Sequence, residues 1–147
     1  MSIANRREVM NSMTIIEKNY KTLEKMQFLA TMRENNYVRL KRFGMKDLHL
    51  NKIRDDGKIL HFSIAHYDLD GDSIKADPDM EIIADWNKRI VMPAAFQDDR
   101  EAAYKVIENE NITASYSNDD LVQNLSEFLD RWLQTIGESD YTVANRQ

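Results

Sequence analysis

Residues 59–86, ILHFSIAHYDLDGDSIKADPDMEIIADW, join two apolar segments through a strongly acidic connection. In the first segment Leu60, Phe62 and Ile64 alternate with more polar residues, which is the pattern of a half-buried strand. The second segment, MEIIADW, is a further predicted strand. The Asp-Gly-Asp run at 70–72 is typical of a turn. This stretch therefore predicts two antiparallel strands joined by a solvated hairpin connection.

More predicted strands flank this pair. YVRLKRF (37–43) and DLHLNKI (47–53) precede it, with Asp-Gly at 56–57 as a hairpin turn, and RIVMPAAF (89–96) follows it. Five strands with short connections predict an antiparallel meander. Pro93 cannot donate a ladder hydrogen bond, so we expect it at an edge or a bulge.

Both ends of the chain show apolar residues at helical spacing. The first stripe predicts a helix over about residues 5–34, and its members are Val9, Met13, Ile16, Tyr20, Leu23, Met26 and Ala30. That stripe can pack on the sheet or join two copies of the chain. The second stripe runs from Leu121 to Ile136, with Ser117 as the expected N-cap.

Together these patterns predict a single α+β domain over residues 1–137. It is helical over 1–34, forms an antiparallel sheet of about five strands over 37–108, and ends with a helix over 117–136 that packs on the sheet. Residues 138–147 are expected to form a flexible tail.

Composition excludes several classes of site. The 147 residues include no cysteine, so disulfides, thiolate zinc sites and cysteine nucleophiles are excluded. No segment reaches the length of a membrane span, and the N-terminus lacks the apolar run of a secretory signal. We therefore expect a cytoplasmic protein that does not contact membranes.

Charge is distributed unevenly along the chain. The net charge is −5, yet residues 1–46 contain ten Lys/Arg against four Asp/Glu. The remainder contains ten Lys/Arg against twenty-one Asp/Glu, six of them within residues 66–81. Such asymmetry is compatible with two different binding faces, or with halves that attract each other.

The acidic stretch contains Asp68, Asp70 and Asp72 at the spacing of the first three ligands of an EF-hand loop. Ser73 occupies the position that requires glycine, and the flanking segments are predicted strands rather than helices. These features do not fit an EF-hand. A looser divalent-cation site of low affinity remains an alternative to the solvated turn, and otherwise no cofactor is expected.

The central segment also resembles a family of small uncharacterised bacterial proteins. The resemblance covers about residues 58–136 and depends on Ala-His-Tyr at 65–67, Gly-Asp at 71–72 and Asp-Pro-Asp-Met-Glu at 77–81. Many members of that family are encoded on conjugative plasmids and other mobile elements, so the resemblance implies a genetic setting rather than an activity.

The resemblance selects the candidate binding residues, which are His66, Asp72, Asp77, Asp79 and Glu81. If a strand begins at residue 77, its three acidic residues alternate onto one face. We then expect His66 to lie across the hairpin from them. Such a cluster could hold a cation or accept basic groups of a partner.

A basic segment is the second candidate surface. Residues Arg39, Lys41, Arg42 and Lys46 are interleaved with Tyr37 and Phe43. Basic and aromatic side chains together suit single-stranded nucleic acid. The alternative is the solvated outer face of an amphipathic strand.

Three functional hypotheses follow. The first is a non-enzymatic acidic protein from a mobile genetic element that binds a protein partner, for example as an inhibitor of a host defence nuclease. The second is a metal-dependent enzyme that acts on nucleic acid or nucleotides, with the carboxylates as ligands and His66 as base. The third is an accessory protein that binds single-stranded nucleic acid through the basic N-terminal third. The residue chemistry favours the first.

Overall fold

A computed structural model of the chain describes residues 13–71, 73–98, 103–105 and 119–147. These residues form three helices, α1 (Ile15–Lys25), α2 (Phe28–Glu34) and α3 (Asp120–Gly137). They also form one seven-stranded sheet, with β1 (Tyr37–Lys41), β2 (Leu48–Asp55), β3 (Ile59–Asp70), β4 (Ser73–Asp85), β5 (Ile90–Gln97), β6 (Ala103–Lys105) and β7 (Thr142–Arg146). The predicted α+β class is confirmed, although the sheet has two strands more than expected.

The strand order is β6-β5-β4-β3-β2-β1-β7, and each neighbouring pair is antiparallel. Strands β1 to β6 therefore form the expected meander. The C-terminal residues differ from the flexible tail that we expected, because β7 pairs with β1. Val38 lies opposite Arg146 and Lys41 opposite Thr142. The physical reason is that β7 satisfies backbone groups of β1 that would otherwise remain unpaired at the sheet edge.

The helices begin and end at identifiable capping residues. Thr14 and Glu17 form a reciprocal capping box at the start of α1. Gln27 adopts a left-handed conformation with φ of 68° and separates α1 from α2, so the described part of the expected 5–34 helix is two helices. Asp119, not Ser117, caps α3, because its carboxylate accepts hydrogen bonds from two amides of the first turn. Ser117 lies outside the described residues.

The three helices cover one face of the sheet, which we call the helix face. Alternate strand residues, among them Leu60, Phe62 and Ile64, are fully buried there against helix residues such as Leu23 and Leu129. The apolar stripe of α1 is thus buried within its own domain. The opposite face of β3, which we call the second face, presents His61, Ser63 and Ala65 by the alternation of strand side chains.

Pro93 is buried in β5 beside a register shift opposite Glu81 and Ile82, and β6 begins to pair only at Ala95. The expected bulge position is confirmed. No helix within the described ranges is long and apolar enough to cross a membrane.

The core predicts a large cost for truncating Phe62, which is fully buried at the centre of the helix face. We expect Phe62→Ala to lower the free energy of unfolding by about 3–5 kcal/mol, because it removes apolar contacts and leaves a cavity. Ile53 is 49% exposed, so Ile53→Ala should change stability by only about 0.5 kcal/mol. Urea unfolding of both variants checks this, and similar losses in the two would contradict the assignment of the core.

Candidate functional site in the acidic hairpin

The β3–β4 hairpin extends beyond the neighbouring strands. Pairing of β3 with β2 reaches only Ala65, and pairing of β4 with β5 reaches only Asp79. Residues 66–78, which we call the acidic arm, continue as a two-stranded ribbon with Asp68 opposite Lys75. The hairpin turns at Gly71, whose φ of 63° favours glycine. The flanks are strands, as the sequence indicated, and the arm does not have the helix–loop–helix form of an EF-hand.

A bulge at the base of the arm separates residues that the sequence had placed on one face. Ala65 lies opposite Asp79 but Tyr67 lies opposite Ala76, so β4 contains one extra residue between these pairs. As a result Asp77 contacts Lys46 and the helix-face side of the arm, whereas Asp79 interacts with Tyr67 on the second face. The expectation that Asp77, Asp79 and Glu81 share one face is therefore wrong for Asp77.

Lys46, in the loop between β1 and β2, joins both strands of the arm. Its Nζ lies 2.8 Å from a carboxylate oxygen of Asp68 and 2.9 Å from one of Asp77. Hydrogen bonds to these carboxylates raise the pKa of Lys46, and the hydrogen bond from Lys46 is the main cause that lowers the pKa of Asp68. The ammonium group of Lys46 thus occupies the place between two carboxylates where a bound cation would be expected.

His66 contacts α3, and the charges of Asp77 and Asp68 at the base of the arm also act on its ring. Its Nδ1 lies 2.9 Å from the carbonyl oxygen of Asp47, so Nδ1 must carry the donated proton. Its Nε2 accepts a hydrogen bond of 3.3 Å from the indole nitrogen of Trp132. Burial lowers the pKa of His66, which favours the neutral ring that this arrangement requires. Asp79 and Glu81 lie opposite Ala65 and Ser63, on the other face of the strand, so the expectation that His66 lies across from them is wrong. His66 does lie opposite the bulge that contains Asp77, and the charge of Asp77 acts on its ring.

The second face contains a row of polar side chains. The row begins with the neighbouring carboxylates of Glu81 and Asp79. His61 Nε2 lies 2.9 Å from Glu81 Oε1. Burial, and then the neighbouring charge of Glu81, raises the pKa of Asp79, while a hydrogen bond from Tyr67 opposes this change. The row continues across the sheet, since the Tyr67 ring lies 5.1 Å from that of His49.

At the end of the row Tyr37 Oη and His49 Nδ1 are 2.6 Å apart. Burial raises the pKa of Tyr37 and Tyr67 and lowers that of His49. Sequence reasoning did not connect these side chains with the carboxylates. The available signal was the alternation of each strand, which placed His49 and His61 on the polar side.

The basic segment is largely neutralised. Arg39 lies 3.8 Å from Asp47, and Arg42 donates to the carbonyl oxygen of Ser139. Lys46 is held by the arm, and Lys41 is exposed, with no ion pair among the residues that the structure describes. Phe43 in the same loop is fully exposed. The four cations therefore do not form a free basic surface.

Metal ligation has little geometric support in the described ranges, which contain no group of three or more His, Asp or Glu placed to hold an ion. Asp72, one of the candidate binding residues, lies outside those ranges. Asp68 and Asp77 already have Lys46 as a counter-ion, and Glu81 already contacts His61.

The fold and the arm define a class of α+β proteins in which helices cover one face of a meandering sheet and one hairpin extends from it. The chain belongs to the family described as "Domain of unknown function (DUF6908)", whose model matches residues 15–142. The resemblance to an uncharacterised family is thereby confirmed at that level. Neither a curated protein nor a solved structure matches the chain.

Lys46 should hold the arm in place without contributing much to global stability. We expect Lys46→Met to speed hydrogen exchange of the amides of residues 67–70, because Asp68 and Asp77 lose their shared cation. The free energy of unfolding should change by no more than about 1 kcal/mol, as for other exposed ion pairs. Hydrogen–deuterium exchange by mass spectrometry measures the effect. Lys41→Met is the matched control, and equal exchange in both variants would refute the anchoring role.

His66 should make stability dependent on pH. Its folded-state pKa lies below the value of about 6.5 for an unfolded histidine, so the unfolded chain binds the proton more readily. This contribution to stability is complete above about pH 6.5 and is lost as the pH falls toward the folded-state pKa.

The measurement is urea unfolding of the wild type and of His66→Asn at about pH 7.5 and about pH 5.5. These two values lie on either side of the pKa of histidine in the unfolded chain. The variant should lose less stability on acidification than the wild type. His49, whose pKa is lowered mainly by burial, is present in both proteins. Identical losses would show that the ring of His66 is not held neutral.

Proposed function

We propose that this chain is a non-enzymatic protein that binds a protein partner through the acidic arm. The observation that carries the proposal is the projection of the arm beyond both neighbouring strands, with Ile74 70% exposed near its end. Ile74 lies opposite Leu69, so it points to one face of the ribbon, whereas Asp68 and Asp77 contact Lys46 on the other face. The projecting ribbon therefore offers a partner an apolar contact and charged contacts, the two components of a protein-binding surface.

Anchoring of the arm supports the same proposal. His66 attaches the base of β3 to α3 through Trp132, and Lys46 attaches both strands of the ribbon to the β1–β2 loop. A two-stranded ribbon alone is marginally stable in water. These contacts hold it in one arrangement before binding, and a surface that is already ordered loses less conformational entropy when a partner docks.

The same contacts weigh against a catalytic role for the cluster. Both ring nitrogens of His66 are engaged, and its lowered pKa disfavours a proton acceptor that must become charged. The carboxylates of Asp68 and Asp77 are engaged with Lys46. The nucleic-acid alternative is weakened because Arg39, Arg42 and Lys46 each have an acidic neighbour within 4 Å.

The particular form of the proposal is an inhibitor, encoded by a mobile genetic element, that acts on a nuclease of the host's defences. A nuclease surface that binds nucleic acid is basic, and an acidic arm complements such a surface. The net charge of −5 favours the same encounter over long distances.

Site-specific crosslinking tests the arm. A photoreactive amino acid in place of Ile74 should produce a discrete crosslinked partner in the native host cell, and the same residue in place of Ile53 should not. Both isoleucines are exposed, at 70% and 49%, so Ile53 is a matched control. Ile74→Asp should reduce capture of the crosslinked partner at least tenfold without changing the thermal midpoint. Equal crosslinking at both positions would contradict the proposal.

A functional assay tests the inhibitor. Expression of the wild type in a host with active defence nucleases should raise the transformation efficiency of unmodified plasmid DNA, and Ile74→Asp should abolish the increase. An increase that survives this substitution would move the inhibitory surface away from the arm.

A further inference from the structure

The loop between β1 and β2 presents an aromatic side chain to solvent at the corner of a tight turn. The amide of Met45 donates to the carbonyl oxygen of Arg42 over 3.1 Å, which closes a four-residue turn with Phe43 and Gly44 at its centre. The φ of Gly44 is 78°, which the third residue of a type II turn requires. The side chain of Phe43 is fully exposed, and that of Met45 is 43% exposed. We call residues 42–45 the aromatic turn.

Contacts on both sides hold the aromatic turn in place. Arg42 donates to the carbonyl oxygen of Ser139, and the hydroxyl of Tyr141 donates to the carbonyl oxygen of Lys46 over 2.9 Å. Both partners lie just after the end of α3, so the loop is attached to the helix layer as well as to its own strands. An ordered segment thus displays Phe43, and a contact made there costs little conformational entropy.

The aromatic turn lies beside the face of the acidic arm that carries Asp68 and Asp77. Lys46 directly follows the turn, and its Nζ lies 2.8 and 2.9 Å from these two carboxylates. Three peptide steps separate Phe43 from Lys46, so their Cα atoms are at most about 11 Å apart. An exposed ring and two carboxylates are therefore close together at one end of the sheet, whereas Ile74 points to the other face of the ribbon.

We propose that the protein partner of the arm also contacts the aromatic turn and receives the ring of Phe43 in an apolar pocket. This inference rests on the proposed function and adds a second contact to it. The pocket is bordered by basic groups, because the carboxylates of Asp68 and Asp77 lie next to the turn and need complementary charge. Aromatic side chains are enriched in the cores of such interfaces, where a few residues carry most of the binding energy.

A membrane surface is the alternative occupant of the turn. Lys41 and Arg42 directly precede Phe43, and an aromatic side chain next to cations also suits an anionic lipid surface. The acidic arm disfavours this alternative. It begins where β3 stops pairing with the first residues of β2, so it projects from the same end of the sheet as the turn. An anionic lipid surface would repel its carboxylates, and a basic protein surface would attract them.

The first test is crosslinking, and it separates this inference from the proposed function. A benzophenone analogue of phenylalanine at position 43 should crosslink the same protein that the photoreactive residue at Ile74 captures, as identified by mass spectrometry. The same analogue in place of Ile53 should not. Capture from Ile74 but not from Phe43 would overturn the second contact and leave the arm as the binding site. Capture from neither position would overturn both.

The second test measures affinity with the identified partner after its purification. Phe43→Ser should weaken binding at least tenfold, and Phe43→Leu should weaken it less because it retains an apolar side chain. Ile53→Ser is the matched control and should bind as the wild type does. A fully exposed ring adds no buried apolar area to the folded state, so the thermal midpoint of Phe43→Ser should equal that of the wild type. Equal affinities of Phe43→Ser and Ile53→Ser would refute the proposal.

Vesicles of phosphatidylethanolamine and phosphatidylglycerol test the membrane alternative. The wild type should remain in the supernatant when the vesicles are sedimented. Sedimentation of the wild type with the vesicles, lost in Phe43→Ser and kept in Ile53→Ser, would assign the aromatic turn to a lipid surface and overturn the proposal.

Discussion

Strands β3 and β4, of 12 and 13 residues, pair over nearly their whole length, and the other elements take their positions from them. Their alternate residues form the centre of the helix face, which three helices cover. Burial of that face supplies most of the driving force for folding, since apolar area removed from water is the dominant favourable contribution. The hairpin continues after its neighbours end, so the same pairing that organises the core also produces the acidic arm.

One extra residue in β4, the bulge at the base of the arm, determines which partners the acidic side chains of that strand contact. The bulge between the Ala65–Asp79 and Tyr67–Ala76 pairs directs Asp77 to Lys46 and Asp79 to Tyr67. Without it, the acidic residues of β4 would form one row of like charges whose repulsion would need a cation to offset it. The protein instead provides Lys46 as a counter-charge for Asp77 and the neutral hydroxyl of Tyr67 for Asp79, and the acidic stretch becomes an anchored, pre-ordered surface.

The acidic arm extends from the central strands β3 and β4, and β7 forms one edge of the sheet, so the two lie on different parts of the molecule. At the arm, one face of the ribbon carries the exposed Ile74 and the other carries Asp68 and Asp77, which suits a partner with a basic surface.

The sequence by itself determined the α+β class, the five central strands, the final helix and the turn chemistry of the acidic connection. These features follow from local periodicity and from residues such as Gly57 and Gly71, whose conformations need no distant partner. Only the tertiary structure decided that β7 is a strand, that His66 is engaged by Trp132, and that Lys46 bridges Asp68 and Asp77. Each of these depends on groups far apart in the chain, and the bulge that shifts the faces of β4 appears only when two strands are aligned.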